Sequence, residues 1–124
     1  MKKIIIACLL ATSAASAFAE WTRVGENDEG IYYIDYETIR KDGSLRKVWL
    51  VQDLKQRDEN GEMSRRLRME YDCNGERWRA ASYSGHSQSM ASGDTVKSAS
   101  STTSWSDIPP QSGNETILKI VCTK

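Results

Sequence analysis

Few residues in this chain could carry chemistry. Of its 124 residues one is a histidine, His86, and three are cysteines, Cys8, Cys73 and Cys122. A lone His in Ser84-Gly85-His86-Ser87 could act as a general base only beside a positioned serine and an orienting carboxylate. No serine stands in a Gly-x-Ser-x-Gly elbow, the turn that exposes a nucleophile in one large hydrolase class. His86 is therefore expected to be a solvated loop residue. The acids fall in turns or opposite arginines, which leaves no carboxylate pair for glycoside hydrolysis. Phosphate loops, dinucleotide fingerprints and metal-ligand spacings are missing too. One His and three Cys do not make a four-ligand zinc site. No catalytic residue, cofactor or metal is expected.

The first nineteen residues read as an address. Met1-Lys2-Lys3 is a basic start, Ile4 to Leu10 is apolar, and Ala17-Phe18-Ala19 is a small-x-small cleavage site, the pattern of a secretory signal peptide. Ile5-Ile6-Ala7-Cys8 has the residue types of a lipidation box, but cleavage there leaves too short an apolar run before it. The mature chain is then residues 20–124, one domain by length, with no membrane-spanning segment. It holds 15 basic and 17 acidic side chains, which argues against nucleic-acid binding by bulk charge. It keeps two cysteines, Cys73 and Cys122. In an exported small domain that pair is most simply a disulfide, closing a loop worth roughly 4 kcal/mol.

The elements that would position these residues are mostly strands. Short β-branched and aromatic runs at Trp21–Val24 and Ile31–Asp35 flank a turn-rich stretch, and a longer strand covers about 45–56. Asn60-Gly61 and Asn74-Gly75 are hairpin signals, because Asn-Gly accepts the positive φ of tight turns. The second hairpin, pivoting on Asn74-Gly75, pairs Tyr71 with Trp78, Met69 with Ala80, Asp72 with Arg77 and Glu70 with Arg79. Apolar meets apolar and acid meets base. The first, pivoting on Asn60-Gly61, pairs Leu54 with Leu67, Leu50 with Tyr71, Val48 with Cys73 and Asp53 with Arg68. One core face then collects Val48, Leu50, Leu54, Leu67, Met69, Tyr71, Cys73 and Trp78.

Pro109-Pro110 bars an earlier helix start, and Ser112-Gly113-Asn114-Glu115 is a capping box with Ser112 and Glu115 as its reciprocal partners. A helix of about ten residues would put Ile117, Leu118, Val121 and Cys122 on one side; a final strand is the competing reading. Between Ser82 and Ser104 the chain is rich in Ser, Thr and Gly, with Thr95-Val96-Lys97 and Ser104-Trp105 as edge-strand candidates and the rest loop. The opposite face of the hairpins carries Trp49, Arg66, Arg68, Arg77 and Arg79. It is either a solvated charge ladder or a recognition surface, since Arg and Trp dominate interface hot spots.

The ordered set Trp21, Tyr32-Tyr33-Ile34-Asp35, Thr38-Ile39-Arg40, Val48-Trp49-Leu50, Glu70-Tyr71-Asp72-Cys73, Arg77-Trp78-Arg79, Trp105, Pro109-Pro110-x-Ser112 and Val121-Cys122 resembles the surface-adhesin protein E family across nearly the whole mature chain. The resemblance implies a mainly β (α+β) fold: an antiparallel sheet of about six strands, with a short C-terminal helix tethered to its concave face by the disulfide. It also implies a non-enzymatic module at the periplasm or cell surface of a Gram-negative bacterium. Its protein ligand would be of the laminin and vitronectin kind, or a second copy in a homodimer. A periplasmic accessory protein, such as a small inhibitor or assembly factor without a host ligand, is the alternative.

Overall fold

The structure, a computed structural model, describes residues 20–123, so the leader expected over residues 1–19 lies outside the described part. Eight strands form one antiparallel sheet: β1 (Thr22–Glu26), β2 (Gly30–Ile34), β3 (Arg40–Asp42), β4 (Leu45–Leu54), β5 (Ser64–Asp72), β6 (Arg77–His86), β7 (Thr95–Ala99) and β8 (Ser106–Asp107). Six make a continuous path in the order β1-β2-β4-β5-β6-β7, and the short β3 and β8 pair with β4 and β6. The expected count of about six strands describes that path. One α-helix among the described residues, α1 (Gly113–Cys122), follows the sheet.

Alternation along the long central strands fixes two faces. On one, Val48, Leu50, Met69, Tyr71 and Ala80 join Ile34 in a buried cluster closed by Ile117, Leu118 and Val121 of α1. The helix reading thus holds over the competing strand. At three turns, α1 is too short to persist alone in water; burial of these three side chains and the Cys73–Cys122 disulfide, with Cα atoms 5.8 Å apart, hold it in place. Tyr71, fully buried, donates its hydroxyl to Asn114 Oδ1 at 2.9 Å and so ties the C-terminal end of β5 to the first turn of α1. Burial, helped by nearby Tyr32, pushes the Tyr71 phenol far above its usual range, so it stays a donor.

Half of the expected capping box is present. Ser112 Oγ accepts from the Glu115 amide at 3.2 Å. The Ser112 amide, however, is taken by the carbonyl of Pro109, and Glu115 turns along the helix to Lys119 instead. The Pro-Pro turn supplies the backbone partner that Glu115 would otherwise be.

The second hairpin has the expected register: Tyr71↔Trp78, Glu70↔Arg79, Asp72↔Arg77 and Met69↔Ala80. Pairing ends one step before Asn74-Gly75, because the Asp72 carboxylate accepts from the amides of Asn74 and Gly75 and widens the turn. A bulge between Arg68 and Met69 then shifts the outer half of the ladder. The first hairpin differs by four residues from its expected register: Leu50 faces Leu67, Val48 faces Met69 and Trp49 faces Arg68. Asp58 is the cause. Its carboxylate accepts from the amides of Asn60 and Glu62, making a wide loop rather than a tight Asn60-Gly61 turn. A slip of four, an even number, keeps every side chain on its face. The core assignment therefore survives, although Leu54 is buried beyond the main cluster, and Leu67, Trp78 and Cys122 pack at its margin.

Candidate functional site

The outer face is the one that α1 leaves open. Its rows run across β4, β5 and β6: Lys47, Glu70 and Arg79; Trp49, Arg68 and Ser82; Val51, Arg66 and Ser84; Asp53, Ser64 and His86. At the Asp53 end this face is roofed. A 3-10 turn over Ser89–Ala91 lays its amides on it, with Met90 N donating to Asp53 Oδ1 at 3.0 Å and Ala91 N to Ser64 Oγ at 2.9 Å. Val51, two residues from Asp53 on the same face, is fully buried. The segment after Ser82, expected as loop, supplies both this roof and the end of β6.

The five residues singled out from sequence lie on this face, and Trp105 joins them. They form two stacks. The Arg66 guanidinium lies 4.3 Å from the centre of the Trp49 ring, with Arg68 at 6.0 Å. Arg77 and Arg79 lie 4.7 and 4.2 Å from the centre of the Trp105 ring. Each contact draws a cation to the negative face of an indole. Trp105 comes from the Ser- and Thr-rich segment just before β8, expected from sequence as an edge-strand candidate and not as part of this face. The pairing of β8 with Arg77 and Trp78 brings it alongside.

Charge divides the two stacks. Arg79 Nε meets Glu70 Oε2 at 2.5 Å and Arg77 Nε meets Asp72 Oδ2 at 2.9 Å, so the Trp105 stack is neutralised. The amide of Gly75 and the Arg77 guanidinium hold the Asp72 carboxyl below its usual range. Around Trp49 there is no such match. Arg66 and Arg68 are exposed and make neither an ion pair nor a donated hydrogen bond among the described residues. Lys47 only reaches Glu70 at 4.0 Å. A cleft of about 170 Å³ opens here between Thr38, Arg40, Lys47, Trp49 and Arg68 over Val48.

His86 is not the solvated loop residue expected from sequence. It ends β6, half-buried, with Nε2 2.8 Å from Ser84 Oγ. Burial lowers its pKa, and Arg66 lowers it further against a smaller opposing pull from Glu62. Its Nδ1 has no hydrogen-bond partner among the described residues, whereas a Ser–His–Asp triad needs a carboxylate there.

A second polar cluster sits on the helix-bearing side, where the sheet outruns α1. Glu62, fully buried, accepts from Arg65 Nε at 2.8 Å and from the Tyr83 hydroxyl. Arg65 also binds Asp58 at 2.9 Å and Gln52 at 3.3 Å. Burial raises the Tyr83 phenol to about 12, with the Glu62 carboxylate adding to it. Burial alone would raise Asp58, but the Glu62 amide, Arg65 and the Asn60 amide overcome it and hold the carboxyl at about 2. Gly85 makes room for this: a Cβ there would collide with the Glu62 carboxylate. Every group is answered within the cluster, so it reads as a structural clamp.

One family model covers nearly all of the described chain. The profile of surface-adhesin protein E matches residues 21–123. The chain belongs to that family. Its fold is that of Haemophilus influenzae protein E. One crystal structure of that protein superposes with a TM-score of 0.67 at 16% identity, covering 86% of each chain. A second crystal form gives 0.65 at 16% identity over 86% of this chain and 89% of the other. The protein from a non-typeable strain gives 0.62 at 16% identity over 88% and 79%. No curated protein is significantly similar in sequence. At such identity the structures speak for the fold and not for a ligand. Among the described residues of this family member, no helix is long and apolar enough to cross a membrane.

Proposed function

We propose that this adhesin E family member is an exported, non-enzymatic binding module at the cell surface, and that the outer face of β4, β5 and β6 is its recognition surface. The observation that carries the reading is the pair of arginine–tryptophan stacks, Trp49 with Arg66 and Arg68, and Trp105 with Arg77 and Arg79. An arginine already resting against an indole loses less further freedom to a partner, and both residue types are over-represented where binding energy concentrates. The opposite face is spent on the core and α1. The leader over residues 1–19 supports export, and the family resemblance supports a protein ligand of the host matrix or serum class.

Purified laminin and vitronectin, immobilised separately, test this reading. The protein is expected to bind at least one of them, and Arg68→Glu with Arg79→Glu is expected to weaken capture at least about tenfold, since charge reversal at two contact points costs several kcal/mol in a complementary interface. Circular dichroism and an intact disulfide establish that the variant is folded. Undiminished capture by a folded variant removes the outer face as the binding surface.

A further inference from the structure

We infer that the Trp49 half of the outer face binds a sulfated polysaccharide. The inference rests on reading the outer face as the recognition surface and narrows it to one half and one ligand chemistry.

Four cations gather there, and among the described residues only Lys47 has an ion pair, with Glu70 at 4.0 Å. Arg40 on β3 stands directly opposite Lys47 on β4, a like-charge cross-strand pair that weakens a sheet unless an anion lies between. Glu70, the nearest carboxylate partner of Lys47, is already held at 2.5 Å by Arg79 and is almost fully buried. Arg66 and Arg68 stack over Trp49, and their outward N–H edges donate to no described group. A guanidinium beside an indole still presents a fork of N–H donors that matches an oxyanion bidentately. The cleft beside it, about 170 Å³ between Arg40, Lys47 and Arg68, has room for roughly five waters and so for one such group.

The backbone decides between polymers. β4 and β5 are interior strands, paired on both sides, so a peptide laid here finds no main-chain groups to extend the sheet. Recognition here comes from side chains, and in this half those are chiefly cationic. The cations spread over three strands, with Arg66 and Arg68 about 7 Å apart along β5. A chain of sulfated sugars carries dense peripheral charge in two dimensions and needs no main-chain pairing. The net acidity of the mature chain, 15 basic against 17 acidic residues, makes the patch local rather than a consequence of overall charge.

Immobilised heparin, unsulfated dextran and polyglutamate are the probes. At about 0.15 M salt the protein is expected to bind heparin and not dextran. Arg66→Gln with Arg68→Gln is expected to raise the Kd for heparin at least about tenfold and to lower its log–log salt slope by about two. Arg23→Gln with Lys119→Gln makes the same change in net charge away from the patch and should alter the Kd less than about twofold. Absence of heparin binding, equal losses in both double variants, or polyglutamate binding as tightly as heparin would each overturn the inference. If heparin binding fails while Arg68→Glu with Arg79→Glu still abolishes capture by laminin or vitronectin, only the ligand chemistry falls.

Discussion

Replacing Arg65 with methionine is expected to destabilise the protein by about 3–5 kcal/mol, because it strands a charge in the interior. Glu62 is fully buried, and Arg65 is its cationic partner. Tyr83 alone would remain to answer it, and Asp58 would lose its ion pair as well. For a domain of this size that is a large share of the total stability. Much of this cost comes from exposing no water to an ion that needs it, so a second change should recover part of it. Glu62→Leu added to Arg65→Met is expected to be more stable than Arg65→Met alone, a signature of coupled charges. Chemical denaturation of the wild type, Arg65→Met, Glu62→Leu and the double variant reads the difference; a double variant as unstable as the sum of the two single changes would mean the cluster acts by packing. The Asp58 carboxyl adds a pH signature. Its folded pKa of about 2 lies below the ordinary 3.8, so its contribution is complete above the higher value. It is lost as pH falls through the lower one, a loss that Arg65→Met should reduce but not remove, because the Glu62 and Asn60 amides still hold the carboxylate.

Breaking the Cys73–Cys122 disulfide has the other large effect. The bridge closes a separation of 49 residues, and chain entropy places its contribution at roughly 4 kcal/mol. At several degrees per kcal/mol for a domain this small, Cys73→Ser with Cys122→Ser should lower Tm by roughly 15–30 °C. The site of damage is specific. Once untethered, α1 is held by Ile117, Leu118 and Val121, with Ile120 packed at the margin, and by the Tyr71–Asn114 hydrogen bond. Loss of helical circular dichroism and binding of a hydrophobic dye should therefore precede loss of the sheet. A shift below about 5 °C would mean that packing alone docks the helix.

Local signals carried much of this architecture. The two mature cysteines left a single pairing, and the helix announced itself through Pro109-Pro110 and Ser112. The second hairpin could be read because Asp72, Glu70, Arg77 and Arg79 match across it while Tyr71 meets Trp78. The first hairpin misled because Asp58 captures two amides and lengthens the loop, and no residue pattern distinguishes that from a tight Asn-Gly turn. Nothing in the residues around Glu62 marks it for burial. Its burial depends on Gly85, twenty-three residues away, lacking a side chain. At the outer face, the alternation along β5 and β6 placed four arginines on one side correctly. Whether each was neutralised depended on cross-strand geometry, and Trp105 arrived through the pairing of β8, a two-residue strand without a periodicity to read. His86 was misplaced because Ser82 to His86 is polar on both faces, which hides a strand from any hydrophobic pattern.

The central claim is that this domain presents its arginine–tryptophan face to the outside. Intact cells expressing the protein, treated with an external protease and then blotted, test it most directly. The account predicts that the protein disappears from untreated-permeability cells while a periplasmic marker survives. Survival of the protein until the envelope is opened by osmotic shock would contradict it and place the domain among periplasmic accessory proteins.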